Sequence, residues 1–140
     1  MSGDERGSAF IETILLGLLL FIPLLWGLGV LAELHRSSLA STTAAREAGF
    51  DAVSVGHSKL APEAIDSAVE SAFRNHGLDP SAVRVTWIGD RDLARGSAAR
   101  IIIEYPVAVL SAPFLGRVAG PSIWVRAEHV ARVDPYGSRE

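Results

Sequence analysis

The chain has 140 residues, 49% of them hydrophobic, with 13 Lys and Arg against 16 Asp and Glu for a formal charge of −3. That balance, with one lysine (Lys59) in the whole chain, argues against a nucleic-acid partner, which needs clustered cations to displace counterions from phosphates. The absence of cysteine excludes disulfide scaffolds, thiolate metal sites, iron–sulfur clusters and cysteine nucleophiles.

The first seven residues, MSGDERG, are polar and precede a long apolar run. From Thr13 to Ala32 there are twenty consecutive residues without an ionisable side chain. At about 1.5 Å per residue such a helix covers the roughly 30 Å hydrocarbon layer of a bilayer. A secretory signal peptide is a weaker reading, because Asp4 and Glu5 outnumber Arg6 and the run exceeds the usual apolar core of a signal. A small-x-small site at Ser38-Leu39-Ala40 keeps that reading open and places its cut before Ser41. The expected plan is therefore a polar leader over 1–7, a long helix over 8–55 with its membrane span at about 13–32, a small extramembrane domain over 56–135 and a tail over 136–140.

Two acids bracket the apolar run. Glu33 closes it and reads as interfacial; Glu12 opens it, five residues after Gly7. A carboxylate buried at mid-bilayer costs about 2.5–3.5 kcal/mol on insertion scales, and less toward the interface. Ala9, Thr13 and Gly17 recur every fourth residue beside Glu12, a spacing of small side chains that lets helix backbones approach in lipid. Pro23 removes a backbone donor and is expected to bend or loosen the helix near Leu19. Past Ala32 the pattern stays helical but turns small and polar, with Leu34, Leu39, Ala45 and Phe50 expected as its larger contacts and Gly56-His57-Ser58 as its break.

The next element is amphipathic. Pro62 sits at its first turn, Ala64, Ile65, Ala68, Val69, Ala72 and Phe73 form one stripe, Glu63, Asp66, Glu70 and Arg74 take the other side, and Gly77 suits a cap. Three strands follow by alternation: Val83, Val85 and Trp87 in the first; Ile101, Ile103, Tyr105 and Val107 in the second, from about Ala98 to Leu110; Ile123, Val125 and Ala127 in the third. Gly89-Asp90-Arg91-Asp92 supplies the first turn, and Pro106 marks a bulge or a strand edge. The apolar segment PFLGRVAGP joins the second strand to the third. One helix covering a three-stranded antiparallel sheet gives an α+β class.

The string RGSAFIE, followed by the apolar run and later by AAREAGFDAV, resembles the TadE-like proteins of tight-adherence (Flp-type) pilus systems, within the type IV pilin-like superfamily. The resemblance covers roughly residues 5–55, with Thr13 where many members have Phe and Pro23 further along than the proline often seen. It implies a pilin-like fold, cleavage by a prepilin peptidase between Gly7 and Ser8, and a role for Glu12 in processing or assembly. It also implies partners: the peptidase, other pilin or pseudopilin subunits packed through the long helix, an inner-membrane assembly platform and membrane lipid. The implied location is the bacterial cytoplasmic membrane, with the amino terminus cytoplasmic and the domain outside.

Elementary physics agrees with such a site. Glycine lets a protease approach extended backbone closely. Cutting there creates an α-amino group on Ser8, four residues from Glu12 and so on the same helical face. Amine and carboxylate can then neutralise each other within one chain or between neighbours in a bundle, which stabilises an acid that lipid disfavours.

No catalytic or metal-binding pattern is present in the sequence. His35, His57, His76 and His129 lack metal-ligand spacing, and there is neither a phosphate-cradling loop nor a nucleophile elbow. A non-enzymatic protein without cofactor or metal is expected. The rival reading is a binding or sensory domain on an uncleaved single-pass anchor.

Overall fold

The computed structural model describes residues 4–54, 61–89, 94, 96–109, 111–112, 116–117 and 120–135, the first three of these residues and 111–112 and 116–117 by backbone alone. The helical break at Gly56-His57-Ser58, most of the turn after Gly89, most of the PFLGRVAGP segment and the tail over 136–140 lie outside the described residues.

Helix α1 runs from Asp4 to Ser54 without interruption, through Pro23. Its 51 residues reach roughly 75 Å. It starts four residues before the expected Ser8, because no residue between Asp4 and Ser8 breaks a helix and an acid near a helix start is favoured by the dipole. The first half of α1 is exposed on all sides, while its second half carries a buried stripe: Ser37, Ala40, Ser41, Ala44, Ala45, Ala48, Gly49 and Ala52. These recur in steps of three and four, the spacing of one helical face. Every member is Ser, Ala or Gly, so the rest of the domain comes close to the helix axis.

Leu34 is partly buried against that core, as its size suggests. Leu39 and Phe50 are not: both point to solvent, Phe50 with 72% of its surface accessible. They lie off the small-residue stripe, and position on the helix, rather than side-chain volume, decides which face is covered.

Helix α2 spans Ala61–Asn75 and buries Ala61, Ile65, Ala68, Val69, Ala72 and Phe73. Gly77, at φ 67°, ends it: its N–H donates to the Arg74 carbonyl at 2.9 Å and that of Leu78 to the Phe73 carbonyl at 2.9 Å. These two bonds satisfy the last carbonyls of the helix, and buried Leu78 completes the cap. Helices α1 and α2 pack together, with six residues between them. A 3₁₀ turn at Pro80–Ala82 follows, capped by Asp79, whose Oδ1 accepts from the Ser81 N–H at 2.9 Å and its hydroxyl at 2.8 Å.

Strands β1 (Arg84–Gly89), β2 (Ala98–Ala108) and β5 (Ser122–Arg132) form an antiparallel sheet in the order β1-β2-β5. Two-residue strands β3 (Ser111–Ala112) and β4 (Gly116–Arg117) pair within the β2–β5 connection. The register is unbroken from Ala98↔Arg132 to Ala108↔Ser122, so Pro106 makes no bulge. It lies instead beyond the reach of β1, whose pairing stops at Arg84↔Glu104. That stretch of β2 has one neighbour only, which is the edge environment proline requires.

Ala99, Ile101, Ile103, Tyr105 and Val107 form the buried face of β2 and meet both helices in one core. Phe73 of α2 packs on Tyr105 with ring centroids 5.0 Å apart. Among the described residues no helix lies over the opposite face of the sheet. It carries Ile88, Trp124 and Val130, exposed, among ion pairs of Arg100 with Glu128 at 3.1 Å and Arg126 with Glu128 at 3.7 Å.

The sheet comes closest to α1 at one point: a Cβ added to Gly49 would lie 2.6 Å from Cδ2 of His129 and 3.3 Å from Cβ of Ala131.

Gly49→Val is expected to destabilise the domain by about 1–3 kcal/mol through overpacking against β5. Gly29→Ala, in open surroundings, should leave domain stability unchanged. Urea unfolding of the detergent-solubilised chain, followed by Trp87 emission, measures both.

Candidate functional site

The first half of α1 is the part of the chain for which the domain offers no cover. Phe10, Ile11, Leu15, Leu16, Leu19 and Leu20 each expose about two thirds of their surface. By length and composition α1 is able to cross a membrane, and none of its most apolar window is buried. In water such a surface is strongly unfavourable at roughly 25 cal/mol per Å². In a bilayer a continuous helix answers both demands, covering its own backbone polar groups and presenting apolar side chains to lipid.

The residues singled out in the sequence fall on this half. Gly7 and Ser8 are helical and exposed, so the peptide bond between them is part of the first turns of α1 rather than extended chain. A Cβ on Gly7 would meet nothing within 4 Å, so the position is open to an approaching partner. Glu12 is exposed one turn beyond Ser8. The ion pairs described join Glu33 to Arg36, Glu70 to Arg74, and Glu128 to Arg100 and Arg126; none includes Glu12. Ala9, Thr13 and Gly17 line up along the helix next to it. The Thr13 hydroxyl donates to the Ala9 carbonyl at 2.9 Å, which satisfies it inside its own helix and leaves its methyl outward. Pro23 sits in unbroken helix. At the far end of the apolar run Glu33 lies 3.8 Å from Arg36, a charged pair where the helix leaves the apolar stretch.

Two features escaped the sequence reading. One is the Ser/Ala/Gly stripe of Ser37–Ala52, whose three-and-four spacing is visible in the sequence but is masked by Leu39 and Phe50. The other is the pairing of Arg84 with Trp124, its guanidinium carbon 4.2 Å from the ring centroid. That contact joins the first strand to the last and has no local signal in the sequence.

Alongside α1 an open groove of about 490 Å³ is lined by Thr42, Thr43, Arg46, Glu47, Phe50, Asp51 and His129. Its acids, base and imidazole do not form a recognisable nucleophile–base–orienter arrangement. Among the described residues no group of three or more His, Asp or Glu is placed to hold a metal ion. Comparison with known protein families, with characterised proteins and with solved structures finds no match to this chain.

Where α1 enters the domain, Ser37 and Ser41 are fully buried and their hydroxyls have no hydrogen-bond partner. Their role is to be small. Ser37→Ala and Ser41→Ala are therefore expected to keep stability or raise it by up to about 1 kcal/mol, since an unpaired buried hydroxyl is removed. Ser41→Leu should lower it by wedging the helices apart. Paired denaturant curves of the four proteins test this.

Proposed function

We propose that this chain is a membrane-anchored, pilin-like subunit of a tight-adherence pilus system, processed by a prepilin peptidase after Gly7 and acting through packing of α1 beside related helices. The observation that carries the reading is the division of one unbroken helix into an apolar half with no cover and a half integrated into a small α+β domain. The polar leader ending in Gly7 and the acid at Glu12 stand at the head of the apolar half, as the resemblance of RGSAFIE requires. The work is structural, with no reaction assigned to the chain. The head faces the cytoplasm and the domain lies outside the bacterial inner membrane; partners are the peptidase, sister subunits and the assembly platform.

In this reading cleavage frees the amine of Ser8 one helical turn from Glu12. The pair places a positive and a negative charge at the rim of the bilayer, where each lowers the desolvation cost of the other. Between subunits it sets the register at which neighbouring helices stop sliding. The surface formed by Ala9, Thr13 and Gly17 then allows close backbone approach.

A second reading, an uncleaved anchor bearing a binding domain, is favoured by one observation: the Gly7–Ser8 bond is helical, and a protease must first unwind it. The two differ in mature mass. Coexpression with a prepilin peptidase is expected to yield a chain whose amino-terminal residue is Ser8, and Gly7→Leu should block this. A full-length chain, in cells that process other prepilins, overturns the proposal, and a chain starting at Ser41 supports a secretory signal instead.

Glu12→Gln removes the charge and keeps the shape. It is expected to lose recovery in the assembled filament or complex, measured by quantitative immunoblot of sheared or detergent-extracted material. Normal incorporation would remove the assigned role of Glu12.

A further inference from the structure

The order β1-β2-β5 leaves β5 at an edge of the sheet, and among the described residues no strand pairs with its outer side. The strand is eleven residues long, with neither a proline nor a bulge. Its hydrogen-bonding phase is set at the two ends of the ladder with β2. The Val109 N–H donates to the Pro121 carbonyl at 3.1 Å, and the Val133 N–H to the Ser97 carbonyl at 3.0 Å. Odd-numbered residues on this side of the connection therefore bond to β2, and by alternation the even-numbered ones from Ser122 to Arg132 turn their N–H and C=O groups to the outer edge. A row of this kind accepts another strand.

The side chains of the same even-numbered residues are complementary to themselves. Turn a second β5 end for end about Ala127, and Arg126 stands opposite Glu128 of the second copy, Trp124 opposite its Val130 and Ser122 opposite its Arg132. Trp124 and Val130 each leave 44% of their surface exposed on the helix-free face, and this register covers one with the other. Within one chain Arg84, Glu104 and Arg126 already form a row of alternating charge across the sheet. Glu128 of the second copy continues that alternation. Sliding one copy by two residues instead sets Arg126 against Arg126 or Glu128 against Glu128, so charge selects the register about Ala127.

We propose that two copies of this chain join through β5, antiparallel about Ala127, into one six-stranded sheet with two-fold symmetry. The contact is isologous: the same edge serves both partners, so it closes on itself. The two-fold axis stands on the sheet and reverses every direction lying along it. Since α1 packs on both β2 and β5 through its Ser37–Ala52 stripe, the two α1 helices run in opposite directions and their apolar halves leave the pair on opposite sides. The pair thus joins chains held in separate micelles or in facing bilayers, and excludes parallel packing of the same two α1 helices. It goes beyond the function proposed above, and requires neither cleavage after Gly7 nor a role for Glu12.

The chain has no cysteine, which makes a single introduced thiol a clean reporter. Across the two-fold axis the Ala127 residues form a pair without hydrogen bonds, with Cα atoms about 4.5 Å apart, inside the span of a disulfide. Full-length Ala127→Cys, in detergent with a mild oxidant, is expected to become a disulfide-linked dimer on a non-reducing gel. Val125→Cys is the control: its counterpart lies four residues further along the partner strand, about 13 Å away, and should stay monomeric. Light scattering then tests the charges. Arg126→Glu and Glu128→Arg should each weaken self-association about tenfold, whereas an equal mixture of the two chains regains it, because each then faces its opposite.

Trp87 emission during urea unfolding verifies that every variant is folded. A folded Ala127→Cys chain that stays monomeric under oxidant overturns the proposal. Val125→Cys crosslinking as readily overturns it too, since contact would then lack the assigned register. So does either charge variant associating as the unmodified chain does, or a mixture of folded variants that fails to recover.

Discussion

One unbroken helix carries two incompatible kinds of surface along a single axis, and the rest of this molecule is arranged around that division. Hydrogen bonds inside α1 take care of its backbone in either medium, so only the side chains change between the halves. Up to Ala32 most of them are large, apolar and exposed. From Ser37 onward the buried ones are Ser, Ala and Gly, which contribute little apolar area themselves but bring the larger residues of α2 and β2 against the helix. Continuity through the boundary gives the domain a stiff mechanical link to the apolar half of α1, with no loop between them.

The close approach at Gly49 illustrates how the packing depends on absent side chains. Dispersion falls off steeply with distance, so a helix that lies close to a strand gains contacts that a wider groove would forfeit. His129 and Ala131 occupy the space a Cβ would need at Gly49. Through the sheet register the same contact ties α1 to the rows of Ala99 and Ile101 on β2. One glycine thus links local packing to the docking of the sheet.

Much of this was legible in the sequence because it rests on periodicity. The apolar run, the α2 stripe from Ile65 to Phe73, the alternation of Ile101, Ile103, Tyr105 and Val107, and the cap at Gly77 all follow from spacings that short windows contain. The covered face of α1 was not legible, because volume drew attention to Leu39 and Phe50 while the face is defined by what is small. The start of α1 at Asp4 was set at Ser8 on the expectation of a leader, whereas local propensity carries the helix through Gly7. Strand order and the contact of Arg84 with Trp124 come from long-range pairing, which no window of sequence shows. Of the candidate site, the linear arrangement of Gly7, Ser8 and Glu12 was evident; their helical setting, which makes Gly7–Ser8 a closed rather than an open peptide, was not.

Strand β1 is six residues long and β2 is eleven, so among the described residues the second half of β2 presents an unpaired ledge on one side. Ledges of this kind are templates for unwanted strand addition. Pro106 stands on that ledge, and the unbroken ladder to β5 requires its ring nitrogen to face the vacant side. A stray strand arriving there finds a missing donor and a bulky ring. The proline acts as a gatekeeper against edge-to-edge pairing.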